Sequence, residues 1–128
     1  MKSYSTVALS ILIGFGAGAA TVQTLHGQAK PPAFTIVEID VTNEEGFTKE
    51  YAPIAGKALM DAAAKFLARG GKTVSIEGEP PKKPVVVQQW ENVDKAQAGF
   101  TSDAYKEGRK IGDKYAKFRI FALEAVTQ

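Results

Sequence analysis

Aromatic and charged side chains are the residues in this sequence with chemistry to offer. Tyr51, Trp90 and Tyr105 each join a large apolar ring to a polar tip. Brought together they would wall a cleft for a small organic ligand, apolar along its length and able to form a few hydrogen bonds. Arg69, Lys65 and Arg119 would suit an anionic ligand, and Glu38, Glu77 or Glu124 would accept a proton if drawn out of water. A plainer reading covers the same residues and is the favoured one: large aromatics usually pack as core, and charges at such spacings are usually solvated or paired. The candidate ligand cleft is therefore Tyr51, Arg69, Trp90, Tyr105 and Arg119, with no catalytic residue assigned.

Much chemistry is excluded by what the chain lacks. There is no cysteine, which removes disulfides, thiolate metal sites and cysteine nucleophiles. The one histidine, His26, lies in an amino-terminal segment with the layout of a secretory signal. Lys2 supplies a positive start, Val7 to Val22 is apolar or small apart from Ser10 and Thr21, and Gly27-Gln28-Ala29 offers small residues where a signal peptidase cuts. This stretch is glycine-rich and shorter than the roughly 20 apolar residues of a spanning helix. Residues 1–29 are thus expected to be a signal peptide, and the mature chain to be periplasmic or secreted, with no membrane attachment after cleavage. A chain starting at Lys30 has neither histidine nor cysteine, so Ser-His-Asp and Cys-His catalysis and histidine-ligated metals fall away. Asp40 with Glu44 and Glu45, or Glu77 with Glu79, match no calcium-loop spacing. Gly70-Gly71-Lys72 lacks the rest of a phosphate loop and reads as a turn. No metal and no cofactor are expected.

The elements that would position these side chains belong to one domain. With 128 residues, 45% of them hydrophobic, the chain has material for one core. Its 16 basic and 14 acidic side chains are interspersed, without the basic stripe that a phosphate backbone requires, so no nucleic-acid partner is expected. Lys30 to Ala33 reads as a short extended leader, because Pro31 and Pro32 hold the chain out of a helix. The folded domain is expected over residues 34–126.

Phe34 to Val41 alternates like a strand, and Thr42-Asn43 followed by Glu44-Glu45 starts a helix that should reach about Ala62, kinked in its first half by Pro53. Lys65 to Arg69 reads as a short strand, Lys72 to Glu79 as a further extended stretch ending in a proline-rich turn, and Val85 to Glu91 as a central strand. Asn92 caps a helix over Val93 to Phe100, Ser102 caps another from Asp103 to about Tyr115, and Phe118 to Val126 makes the last strand. The order β-α-β-β-α-β predicts an α+β, ferredoxin-like fold, a four-stranded antiparallel sheet with helices on one face.

Alternation in the end strands gives a further expectation. Phe118, Ile120 and Ala122 fall on one face and Phe121, Leu123 and Ala125 on the other, as do Phe34 and Ile36 against Val37, Ile39 and Val41. Helices cover one apolar face, and a second copy of the chain is the economical cover for the other, so a homodimer is expected.

Several features in combination resemble a known family. They are Tyr51, the run Lys65-Phe66-Leu67-Ala68-Arg69-Gly70-Gly71, Glu77-Gly78, Val85-Val86-Val87 followed by Trp90, Ala96 with Ala98, and the helix start from Ser102 to Tyr105. From Phe34 to Val126 the chain resembles the family called domain of unknown function 1330. The resemblance implies a dimeric α+β barrel, two ferredoxin-like sheets face to face, and carries no assigned activity. Two positions depart from the family pattern: Ala62-Ala63 stands where glycine is usual before the second strand, and Gly112 where an arginine is usual late in the last helix.

With no catalytic motif in view, the function stays unassigned at this level, and an exported dimer that binds a small organic ligand is favoured. The alternative is a cofactor-independent enzyme, monooxygenase- or isomerase-like, acting on a small aromatic or carbonyl compound. It rests on fold analogy, a weak warrant because such scaffolds host unrelated activities.

Overall fold

A computed structural model describes residues 30–127. The signal peptide expected at 1–29 lies outside the described residues.

Strand β1, Ala33–Val41, alternates as its sequence does: Ala33, Thr35, Val37 and Ile39 are buried, and the residues between them are half-buried. The chain then enters the helical segment α1. Asn43 caps it by accepting a hydrogen bond from the Gly46 amide at 3.0 Å, and Glu44 and Glu45 stand at the positive end of its dipole. The disturbance expected from Pro53 takes a definite form. Glu44–Gly46 is α-helical, Phe47–Tyr51 is a π-helical turn, and Ala52–Asp61 is α-helical again with the proline in its first turn. Proline has no amide hydrogen and its ring crowds the carbonyl four residues back, so the widened turn falls just before it.

Strand β2, Lys65–Arg69, is followed by a long connection and then by β3, Val85–Trp90. Helix α2, Val93–Phe100, is capped by Asn92, and helix α3, Asp103–Gly112, by Ser102. Strand β4 is Ala116–Glu124, earlier than Phe118 to Val126 because its pairing with β1 runs from Val41 opposite Ala116 to Ala33 opposite Glu124. All pairs are antiparallel, in the order β2-β3-β1-β4, so each strand of the outer pair β2 and β4 has one neighbour. This is the ferredoxin-like arrangement.

Register decides which side chains meet the helices. Val37 stands opposite Val86 on one side and Ile120 on the other, and Thr35 opposite Gln88 and Ala122. This face carries the core, built from Tyr51, Ala55, Ala58 and Leu59 of α1, Trp90, Ala96 and Tyr105, together with Val37, Ile39, Val86 and Ala116. Two glycines let the helices come close. A Cβ on Gly112 would stand 2.5 Å from the Tyr51 ring, and one on Gly99 would run into Trp90, so α3 and α2 seat these aromatics against bare backbone.

Phe34, Ile36, Val87, Phe121 and Leu123 fall on the opposite face by the same register. Phe121 is 42% and Leu123 58% exposed. The connection from Gly70 to Pro84 forms no ladder, and its Val74 and Ile76 are 71% and 97% exposed.

Candidate functional site

A cavity of about 180 Å³ lies between α1 and the helix-facing side of the sheet. Its floor is Val37 and Ile39 of β1 with Val86 and Gln88 of β3, and its roof is Tyr51, Ala55 and Leu59 of α1. Phe66, Arg69 and Pro84 stand at its β2 side, and Phe100 and Tyr105 close it from the other helices. The space is apolar almost throughout, as small-molecule pockets are.

Polar groups reach it through two hydrogen-bonded chains. In the first, the buried hydroxyls of Tyr51 and Tyr105 meet at 3.1 Å. Burial above all, and then Tyr105, holds the Tyr51 proton well above the ordinary phenol range, so Tyr51 stays neutral. Arg109, one turn after Tyr105 on α3, pairs with Asp113 at 3.1 Å and lies over the Phe118 ring at 3.9 Å. Its burial works against the charge, but Tyr105 and Asp113 outweigh it and the guanidinium is held more firmly protonated.

The second chain runs through the sheet. Trp90 Nε1 donates to Thr35 Oγ1 at 2.8 Å, and that hydroxyl donates to Gln88 Oε1 at 2.6 Å. Trp90, Thr35 and Gln88 are at most 2% exposed. Gln88 lines the cavity, and its Nε2 forms no bond among the described residues.

Of the five residues expected to form a cleft, the structure brings Tyr51, Tyr105 and Arg69 to one cavity. Arg69 is exposed at its rim, over the Phe66 ring at 3.8 Å. Trp90 sits behind the cavity and reaches it only through Thr35 and Gln88. Arg119 lies elsewhere: register puts it on the opposite face, where it pairs with Glu38 and lies over Phe121. Lys65 is likewise in register with Gln89 on that opposite face, and none of Glu38, Glu77 and Glu124 lines the cavity. Gln88, Thr35 and Arg109 were not foreseen. The first had a signal, a glutamine at the same strand parity as Val86 and Trp90.

Residues 32–126 match the family model described as Domain of unknown function (DUF1330). The chain belongs to that family. No curated protein matches the DUF1330 chain in sequence. Among solved structures, a protein of unknown function from Rhodopseudomonas palustris, RPA0582, is similar with a TM-score of 0.62 at 13% identity, over 86% of this chain and 94% of that one. SnoaB, a cofactor-independent oxygenase from Streptomyces nogalater, is similar with a TM-score of 0.55 at 10% identity, over 77% of this chain and 96% of that one. A Bacteroides thetaiotaomicron protein described as a possible oxidoreductase gives 0.50 at 16%, over 76% and 100%. At these identities the likeness is one of fold.

Proposed function

We propose that this DUF1330 protein is exported, pairs with a second copy of itself and holds a small organic molecule in the cavity beneath α1. The binding reading is carried by one observation: an apolar space of about 180 Å³ is met by hydrogen-bonding groups that are themselves held in place, at Gln88 and at the Tyr51–Tyr105 pair. Sites for small molecules have this composition, an apolar wall with a few fixed polar points. A ligand present at 100 times its dissociation constant stabilises a folded protein by about 2.7 kcal/mol. A thermal-shift screen of small aromatic compounds is therefore expected to raise the melting temperature with some of them, and a flat screen would end the reading.

An enzymatic conversion of the same compounds would need a group to take or give a proton. No carboxylate or imidazole lines the cavity among the described residues, so binding is the reading adopted.

Export rests on the composition of residues 1–29, with 30–33 as a leader to the folded domain at 34–126. The protein recovered from an envelope fraction is expected to have the mass of a chain beginning at Lys30. A full-length species that requires detergent would replace this reading with a membrane anchor.

Pairing rests on the uncovered apolar face of Phe34, Ile36, Val87, Phe121 and Leu123, and on the connection between β2 and β3, whose Val74 and Ile76 are exposed apolar side chains. A second copy supplies an apolar face of matching shape by symmetry.

A further inference from the structure

The hydrogen-bond directions around the cavity determine what its occupant must offer. Trp90 Nε1 can only donate, so Thr35 Oγ1 accepts from it and has its one hydrogen left for Gln88. Gln88 must present oxygen to that hydrogen, which leaves its amide nitrogen as the polar atom it can offer to the cavity it lines. The orientation of the amide is thus fixed by an indole two residues along the same strand.

The tyrosine pair adds a second donor. Tyr51 and Tyr105 share one hydroxyl hydrogen between oxygens 3.1 Å apart, and whichever way that bond runs, the other hydroxyl hydrogen is left over at the cavity that both residues line. The remaining lining is apolar apart from Arg69, itself a donor, at the exposed rim.

Resting on the binding reading above, we infer that the cavity selects a neutral molecule about the size of one substituted ring that carries a hydrogen-bond acceptor, a carbonyl oxygen, received by Gln88 Nε2, with the left-over hydroxyl hydrogen of the Tyr51–Tyr105 pair as a second donor. The size follows from the volume: an apolar cavity of about 150 Å³ takes benzene, and this one is about 180 Å³. The preference follows from satisfaction. A hydrocarbon leaves Gln88 Nε2 without a partner, and a carbonyl oxygen supplies one.

Acetophenone and ethylbenzene share a skeleton and differ in this oxygen. Titrated into the natively recovered protein, acetophenone is expected to bind about tenfold or more tighter than ethylbenzene. Gln88→Leu should reduce that preference severalfold. Equal binding of the two, or tighter binding of ethylbenzene, would overturn the carbonyl inference and leave the cavity as a binding site. Binding of neither would overturn the inference and the binding reading together. An acetophenone preference that survives Gln88→Leu would place the acceptor somewhere else and overturn the assignment to this residue; since the two-ligand comparison needs only the unmodified protein, a variant that fails to fold does not remove the test.

Discussion

Ala63, between α1 and β2, has a φ of 76°, in the left-handed region where a Cβ is crowded. The DUF1330 resemblance places glycine just ahead of the second strand, and the backbone keeps the shape that a glycine would adopt freely. Left-handed strain costs about 1–2 kcal/mol, against roughly 0.4–1 for the looser unfolded chain that glycine brings. Ala63→Gly is therefore expected to stabilise by up to about 1 kcal/mol, a rise of several degrees in melting temperature for a domain of this size. A fall on calorimetry would show that the alanine is unstrained. Tyr51 has a pH signature. The unfolded chain releases this proton near the ordinary value of 10.0, while burial and Tyr105 keep it in place in the folded protein. Tyr51 thus contributes in full below about pH 10, and its contribution declines as pH rises above that. Urea midpoints measured from pH 8 to 11 should fall at the alkaline end, and Tyr51→Phe should flatten the fall. At this scale residue type singled out Tyr51 and Tyr105, whose polar tips need a partner when buried, and the two hydroxyls meet at 3.1 Å. Gln88 was open to the same reasoning through strand parity. Arg109 was not, because its place over the Phe118 ring depends on how α3 packs across β4.

Strand periodicity was the most legible signal at the scale of elements. Side chains alternate across a strand whatever its neighbours are, so the division of β1 and β4 into two faces needed no knowledge of the fold. The sequence could not say which face the helices take. Register now assigns it: Ile120 packs with the core, and Phe121 stands on the open side. Ile120→Asp should therefore destabilise the fold, removing about 1.5–3 kcal/mol of apolar burial and adding the cost of a carboxylate among apolar neighbours. Phe121→Asp should leave the circular dichroism spectrum unchanged and abolish pairing in light scattering. A Phe121→Asp protein that remains paired would show that the partner sits elsewhere. The same parity argument explains why Arg119 left the expected cleft, since it shares a face with Phe121. The caps at Asn43, Asn92 and Ser102 were readable because a short polar side chain before a helix has a local job. The π-helical turn before Pro53 was readable only as a disturbance, because the proline forbids one hydrogen bond without specifying which arrangement replaces it.

For the molecule as a whole, the sheet is a wall with one finished side. Helices supply the first cover from within the chain, and on the pairing reading the second cover arrives by collision with another molecule. Stability then ceases to be a property of the sequence alone and becomes partly one of abundance. Each tenfold dilution of a coupled dimer removes about 1.4 kcal/mol from the favourable free energy of the folded pair. The melting temperature is expected to rise with protein concentration over the micromolar range, and a concentration-independent transition would mean that the fold stands without its partner. The cavity under α1 shares the sheet with that open face, separated from it by one layer of backbone. A cell that makes little of this protein would thus hold fewer copies and, in addition, a smaller folded fraction of them, so binding capacity would grow more steeply than expression until pairing saturates.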